Sequence, residues 1–161
     1  MGTVVGSFKN LDVTLRFLGN LSPKSKLAMT FAAGAMATKA KAYCEDIISA
    51  RDHSLRELAL MGHPYAAAHP ANPHDPPETV HVQDGDLIAG LTATAPIGTA
   101  HGAQAKVINT DPVDEWIQGG SEKMIARPYM HRVKEAHGDE ILEVGKSVLA
   151  QRLSEELKRS A

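Results

Sequence analysis

The run after Ser22 and Pro23 constrains this chain more than any other stretch. Ala28, Ala32, Ala33, Ala37, Ala40 and Ala42 recur through it, and no second proline interrupts it before Ser49. Alanine loses no side-chain entropy in a helix, so the run strongly favours that geometry. Serine accepts from free backbone amides at a helix start, and proline lacks the donor that a first turn would waste. One long helix is therefore predicted from Pro23 to about Ser49, its stripe running through Leu27, Phe31 and Ala35 toward Ile47 and Ile48. Lys24, Lys26, Lys39 and Lys41 are expected to stay hydrated. The alanine faces permit close approach by a neighbour, either a sheet of the same chain or another protomer.

Upstream, Phe8, Leu11, Leu15 and Leu18 fall at helical spacings and predict a short amphipathic helix ended by Gly19 and Asn20. Downstream, Asp52 or Ser54 caps a short helix through Leu55, Leu58, Leu60 and Met61, stopped by Gly62 and Pro64. Pro70, Pro73, Pro76 and Pro77 then exclude a central strand. Residues 62–78 thus read as a proline-rich loop, either a mobile surface segment or a clamp laid on an adjacent subunit. Beyond it the period changes to that of strands. Val80 and Val82 alternate with His81 and Gln83, Leu87, Ala89, Leu91 and Ala93 repeat the pattern, and Ala103, Ala105 and Val107 form a further strand. Residues 113–117 are expected to make a short last one.

After Gly119 and Gly120, Pro128 stands in the first turn of a final helix. Its stripe runs through Val133, Ile141, Val144 and Val148, continued by Leu149, Leu153 and Leu157, with Gly138 as a point of bending or splitting. Lys158 and Arg159 suit the negative end of that helix. This order gives one α+β domain over residues 1–161, a small antiparallel or mixed sheet packed against a long N-terminal helix and a C-terminal helix.

Aromatic residues are scarce at 4%, so Leu, Ile, Val, Met and Ala must fill the core, with Trp116 and the three Phe residues as isolated anchors. Such a core buries little area per residue, which leaves partner subunits a share of the stability. The first fifty residues carry six cationic against three acidic side chains, whereas residues 51–100 carry two against six. That polarity suits head-to-tail contact better than nucleic-acid binding, which calls for a basic patch. A single cysteine, Cys44, cannot form an intrachain disulfide, and it reads as a small buried hydrophobe. Met1 to Gly6 lack the basic start of a signal peptide, and no stretch reaches membrane-spanning length. A soluble, non-secreted protein is expected.

His53, His63, His69, His74 and His81 cluster along the chain, and a metal site recruiting Asp75, Asp84 or Asp86 is the enzymatic alternative. Their spacings match no paired helical ligands, and neither HExxH nor CxxC is present. His101, Asp111, Asp114 and Glu115 are available for acid–base work, and Ser121 follows the double glycine, but no nucleophile elbow or phosphate loop accompanies them. The acidic pair reads more simply as a polar edge beside an inward Trp116. No enzyme and no cofactor are expected.

The most informative stretch is DEWIQGGSEKMIARPYM, residues 114–130. The double glycine permits a sharp or left-handed turn, and Arg127 then precedes a proline-started helix. Arg127 is positioned to bridge an acidic group such as Glu115 or Glu122, within the protomer or across an interface. This segment resembles the signature of the tail-completion or neck-protein family of long-tailed bacteriophages. Glu115 matches the acidic position, Gly119 and Gly120 cover the turn, and Ala126, Arg127, Pro128 and Tyr129 match the second half. Gly120 stands where the family usually has threonine. The segments DHSLRELALMGHPYA and VHVQDGDLIAGL resemble the family's middle region, so the likeness spans about residues 20–158.

The resemblance implies a noncatalytic protomer of a six-fold ring, assembled in the host cytoplasm and housed in the virion at the head–tail interface. Its implied partners are other copies of itself, a head-completion or stopper protein, and a tail terminator or tail tube protein, with viral DNA passing through the bore. A tail terminator of the same architecture is the nearest alternative. Glu115, Trp116, Gly119, Gly120, Arg127, Pro128 and Tyr129 are the expected structural or interface residues.

Overall fold

A computed structural model describes residues 2–6, 10–16, 23–48, 60, 80, 85–120 and 126–160. Two strands open the chain, β1 (Gly2–Gly6) and β2 (Asn10–Arg16), followed by the long helix α1 (Pro23–Ile48). A single-turn helix α2 (Asp86–Ala89) leads into β3 (Leu91–Ala93), β4 (Ile97–Thr99) and β5 (Gly102–Asn109). Helix α3 (Asp114–Gly119) and the long α4 (Tyr129–Ser160) complete the order. The expected α+β architecture is present, with an antiparallel sheet of five strands covered by two long helices.

Strand β5 is the axis of the sheet. Along one edge it pairs antiparallel with the whole of β2, Asn10 opposite Ile108 and Arg16 opposite Gly102. The other edge is divided: β3 takes the end near Asn109 and β4 the end near Gly102. Pro96, which lacks a ladder donor, stands in the break between β3 and β4. Its ring packs against Gly34 of α1, where an added Cβ would lie 3.2 Å from Pro96 Cγ. The inward side chains of β5, Ala103, Ala105 and Val107, are all buried, whereas Gln104, Lys106 and Ile108 on the other face are half-exposed.

The helix predicted around residues 8–19 is instead strand β2, paired on one side with β1 and on the other with β5. Leu11, Val13 and Leu15 also alternate with Asp12, Thr14 and Arg16, and pairing with β5 selects that period over the helical one. The last strand expected at residues 113–117 is helical, and so are Leu87 and Ala89, leaving only Leu91 and Ala93 of that run in a strand. A left-handed Gly85, with φ of 91°, starts α2. The proposed helix at residues 52–61 and the proline-rich loop at 62–78 lie outside the described residues except for Leu60, which is exposed.

Helix α1 runs as predicted, but a different face is buried. Ala28, Ala32, Met36, Ala40, Cys44 and Ile48 form one buried row at intervals of four, and Met29, Ala33 and Ala37 a second beside it. Leu27 and Phe31, expected in the stripe, are 56% and 46% exposed. Small side chains win the interior because α1 packs against both the sheet and α4, and backbones approach closely only over alanine and glycine. Met36, Ile48 and Leu11 supply the larger volumes, each worth roughly 1.5–3 kcal/mol when fully buried.

Helices α1 and α4 are antiparallel in a constant register. Lys24 Nζ lies 3.3 Å from Glu156, Phe31 sits under Arg152, Met36 abuts Gly145, and Tyr43 stacks on His137 with ring centroids 3.9 Å apart. The Tyr43 hydroxyl donates to Glu140, and Lys39 lies over the Tyr43 ring at 4.4 Å. Val133 and Ile141 are buried as predicted, Val144, Val148, Leu149 and Leu153 are half-buried, and Leu157 is 73% exposed. The helix continues unbroken through Gly138. Among the described residues no helix is long and apolar enough to cross a membrane.

Candidate interface corner

The segment singled out in the sequence folds into a corner between β5 and α4. At its start, the Asn109 side-chain oxygen accepts from the amide of Asp111 at 3.0 Å, and Asp111 Oδ1 accepts from the amide of Val113 at 2.8 Å. These side-chain turns end the strand and begin α3. The short helix is two-sided. Asp114, Ile117 and Gln118 are buried at 3%, 3% and 1% exposure, whereas Val113, Glu115 and Trp116 face out.

The expectation of an inward Trp116 beside a polar acidic edge is thus inverted. Trp116 is 55% exposed, and Asp114 is the buried carboxylate. The helical period explains this, since residues 114, 117 and 118 share a face that excludes 115 and 116. Glu115, the acidic position of the resemblance, lies on the exposed side.

Gly119 is the last residue of α3, and Gly120 makes the turn with φ of 76° while its amide donates to the carbonyl of Trp116 at 2.8 Å. A side chain at that φ is strained, which is why glycine serves there. Ser121 and Glu122 lie outside the described residues. When the chain returns, the amide of Arg127 donates to the carbonyl of Ile117 at 2.6 Å, and the amide of Tyr129 donates to the carbonyl of Arg127 at 2.8 Å. Arg127 is fully buried. Pro128 then accepts from the amide of Arg132 at 3.1 Å, the first turn of α4.

Side chains tie the two arms of the corner together. The Tyr129 hydroxyl donates to Asp114 Oδ1 at 2.6 Å, and Gln118 Nε2 donates to Asp114 Oδ2 at 2.8 Å. Asn109 Nδ2 donates to the Tyr129 hydroxyl at 3.1 Å and to the carbonyl of Leu87 at 2.8 Å. Burial first, then the adjacent Asp114 carboxylate, hold the Tyr129 phenol above its usual range, so it stays a donor. Burial likewise pushes the Cys44 thiol up to about 12, with Asp114 a secondary cause. Cys44 is buried, as expected of a small core hydrophobe.

Chemically, the inner half of this corner is an anchor: its carboxylate receives donors on both oxygens. The outer half presents an indole, a valine and an acid to whatever lies beyond. His101 is exposed in the turn between β4 and β5 and is not part of the network. The five clustered histidines lie outside the described residues, and among the described ones no group of three or more metal-ligating side chains occurs. Sequence reading missed Asn109 and Gln118. The spacing of Asp114 and Gln118 around Ile117 carried a signal, because it marks one face of a helix turn. Comparison with family models, with curated proteins and with solved structures gave no match.

Proposed function

We propose that this chain is a ring-forming structural protomer of the head–tail connector of a long-tailed bacteriophage, acting as a neck or tail-completion protein. The observation that carries the reading is the corner at residues 114–130. The residues that resemble the family signature form one unit with a locked interior at Arg127 and Tyr129 and an exposed Trp116. A rigid support under an exposed large aromatic is the arrangement that protein interfaces favour. The lean, alanine-built core supports the same reading, because neighbouring subunits then contribute to stability.

In this role the protein catalyses nothing and needs no cofactor. It joins the head-completion or stopper protein to the tail terminator or tail tube, and DNA passes through the bore without base-specific contact. The tail-terminator alternative shares the architecture and differs in its neighbours. The test is co-assembly of the purified chain with portal-side and tail-side proteins of the same virus, followed by particle imaging. A ring seated between the two supports the connector reading, and a ring capping only the tail tube supports the terminator. A chain that joins neither is not a connector protein.

A further inference from the structure

A groove lies at the opposite end of the helical pair from the corner, where the first turns of α1 meet the last turns of α4. Leu27 and Phe31 form its apolar floor, and Lys24, Arg152 and Arg159 stand around it with Glu155 and Glu156. Its volume is about 220 Å³. The Arg152 guanidinium covers the Phe31 ring at 4.3 Å from the centroid and holds it in place. An enclosed cavity of about 150 Å³ takes up a benzene, and this groove, open to solvent on one side, has the volume for an indole to lie on its floor.

The corner offers a matching projection. Trp116 and Val113 are 55% and 40% exposed, with Glu115 exposed and Asp111 half-exposed beside them. The projection is acidic, while around the groove Lys24 and Arg159 share Glu156 and Arg152 pairs with Glu155, which leaves one net positive charge. The two features cannot meet within one protomer. Tyr129 of the corner is the first residue of α4, and Arg152 of the groove lies 23 residues further along the same helix, a separation of about 35 Å at 1.5 Å per residue.

We propose that Trp116 of one copy seats in the Leu27–Phe31 groove of the next, a head-to-tail contact between copies of this chain. The proposal names the junction of the ring and rests on the ring reading above. Such a contact uses two unlike patches, so it propagates until rotation closes it. Trp116 is also the chain's one tryptophan, and its fluorescence reports the contact directly.

The test uses Trp116→Ala, Phe31→Asp and Leu27→Asp, all at exposed positions, each first checked for parental circular dichroism and a single cooperative unfolding transition, since loss of the junction itself lowers the thermal midpoint. In light scattering across a concentration series, the parent should form a closed oligomer with blue-shifted emission. Each variant alone should stay monomeric, its self-association weakened about thirtyfold or more, as for a hot-spot aromatic. An equimolar mixture of Trp116→Ala with either groove variant should stop at a dimer, because one junction alone is intact, and the remaining Trp116 should shift to the blue. Variants that assemble like the parent, a mixture that stays monomeric, or a parent that is monomeric throughout would each overturn the proposal. A parent that is monomeric alone yet joins portal-side and tail-side proteins sinks this junction and keeps the connector reading. A parent that assembles through the junction and ignores those proteins does the reverse.

Discussion

The Tyr129 hydroxyl donates a 2.6 Å hydrogen bond to Asp114 Oδ1, joining the first residue of α4 to the first residue of α3 across the glycine turn. Both partners are buried. Removing the hydroxyl leaves a buried carboxylate short of a donor, which costs about 1.5–3 kcal/mol for a bond to a charged group. Tyr129→Phe should lower the urea midpoint accordingly without changing the m-value. An unchanged midpoint would mean that the corner is not held by this bond.

Alkaline stability follows from the same burial. The unfolded thiol titrates near 9.0 and the unfolded phenol near 10.0, whereas folded Cys44 holds its proton to about 12 and folded Tyr129 is raised as well. Above those unfolded values the unfolded chain releases protons that the folded chain keeps, so stability is full below pH 9 and falls as pH rises. Each group contributes a slope of about 1.4 kcal/mol per pH unit in its window. Denaturant midpoints measured from pH 8 to 11 should decline, and Cys44→Ala should flatten the decline that begins near pH 9. Ellman's reagent should label native Cys44 only as fast as the protein opens.

Two glycines of α4 separate packing from propensity. An alanine Cβ at Gly138 meets open space, whereas one at Gly145 would collide with Sδ and Cγ of Met36, the latter at 2.7 Å. Gly138→Ala should therefore stabilise by about 0.5–1 kcal/mol through helix propensity. Gly145→Ala should destabilise by about 1–3 kcal/mol through overpacking, because Met36 is itself buried. Thermal midpoints moving in opposite directions would establish the close approach of α1 and α4. Two upward shifts would refute it.

Arg127→Ala should cost about 3 kcal/mol or more, since it empties a fully buried site of its largest side chain and leaves a cavity. Arg127→Lys keeps the charge, loses the planar fork, and should fall between alanine and the parent. Lys158→Ala, at an exposed position of the last turn, serves as the reference and should lie within about 0.5 kcal/mol of the parent. Assembly yield and denaturant midpoint measured on the same preparations separate a folding defect from an interface defect. If both Arg127 variants match the parent in both measurements, the anchoring role is wrong.

The long helices were legible because alanine content, a proline start and a sustained apolar period agree over many residues. Strand β5 was legible for the same reason, its Ala103, Ala105 and Val107 alternating cleanly. Strand β2 was not, because LDVTLR and its flanks satisfy both periods and only the distant β5 decides between them. Trp116 misled for a different reason. Size and hydrophobicity argued for burial, but a two-turn helix has one inner face, and Ile117 with the hydrogen-bonded Asp114 and Gln118 occupies it. Within the corner, Arg127 and Tyr129 stood out in the sequence and both are buried, while the partners of Tyr129 depend on the fold of residues 109–118. The groove on the two long helices was invisible, since Leu27 and Phe31 were read as core.

The pairing of β2 with β5 also sets an order of events at synthesis. Asn10 finds its partner only when Ile108 has been made, so the opening hairpin and the alanine helix leave the ribosome with nothing to complete their sheet. Closing so long a loop is slow compared with forming α1, which is local. The nascent chain therefore carries a formed helix and an unfinished sheet until β5 and then α4 arrive, and only then does the core close.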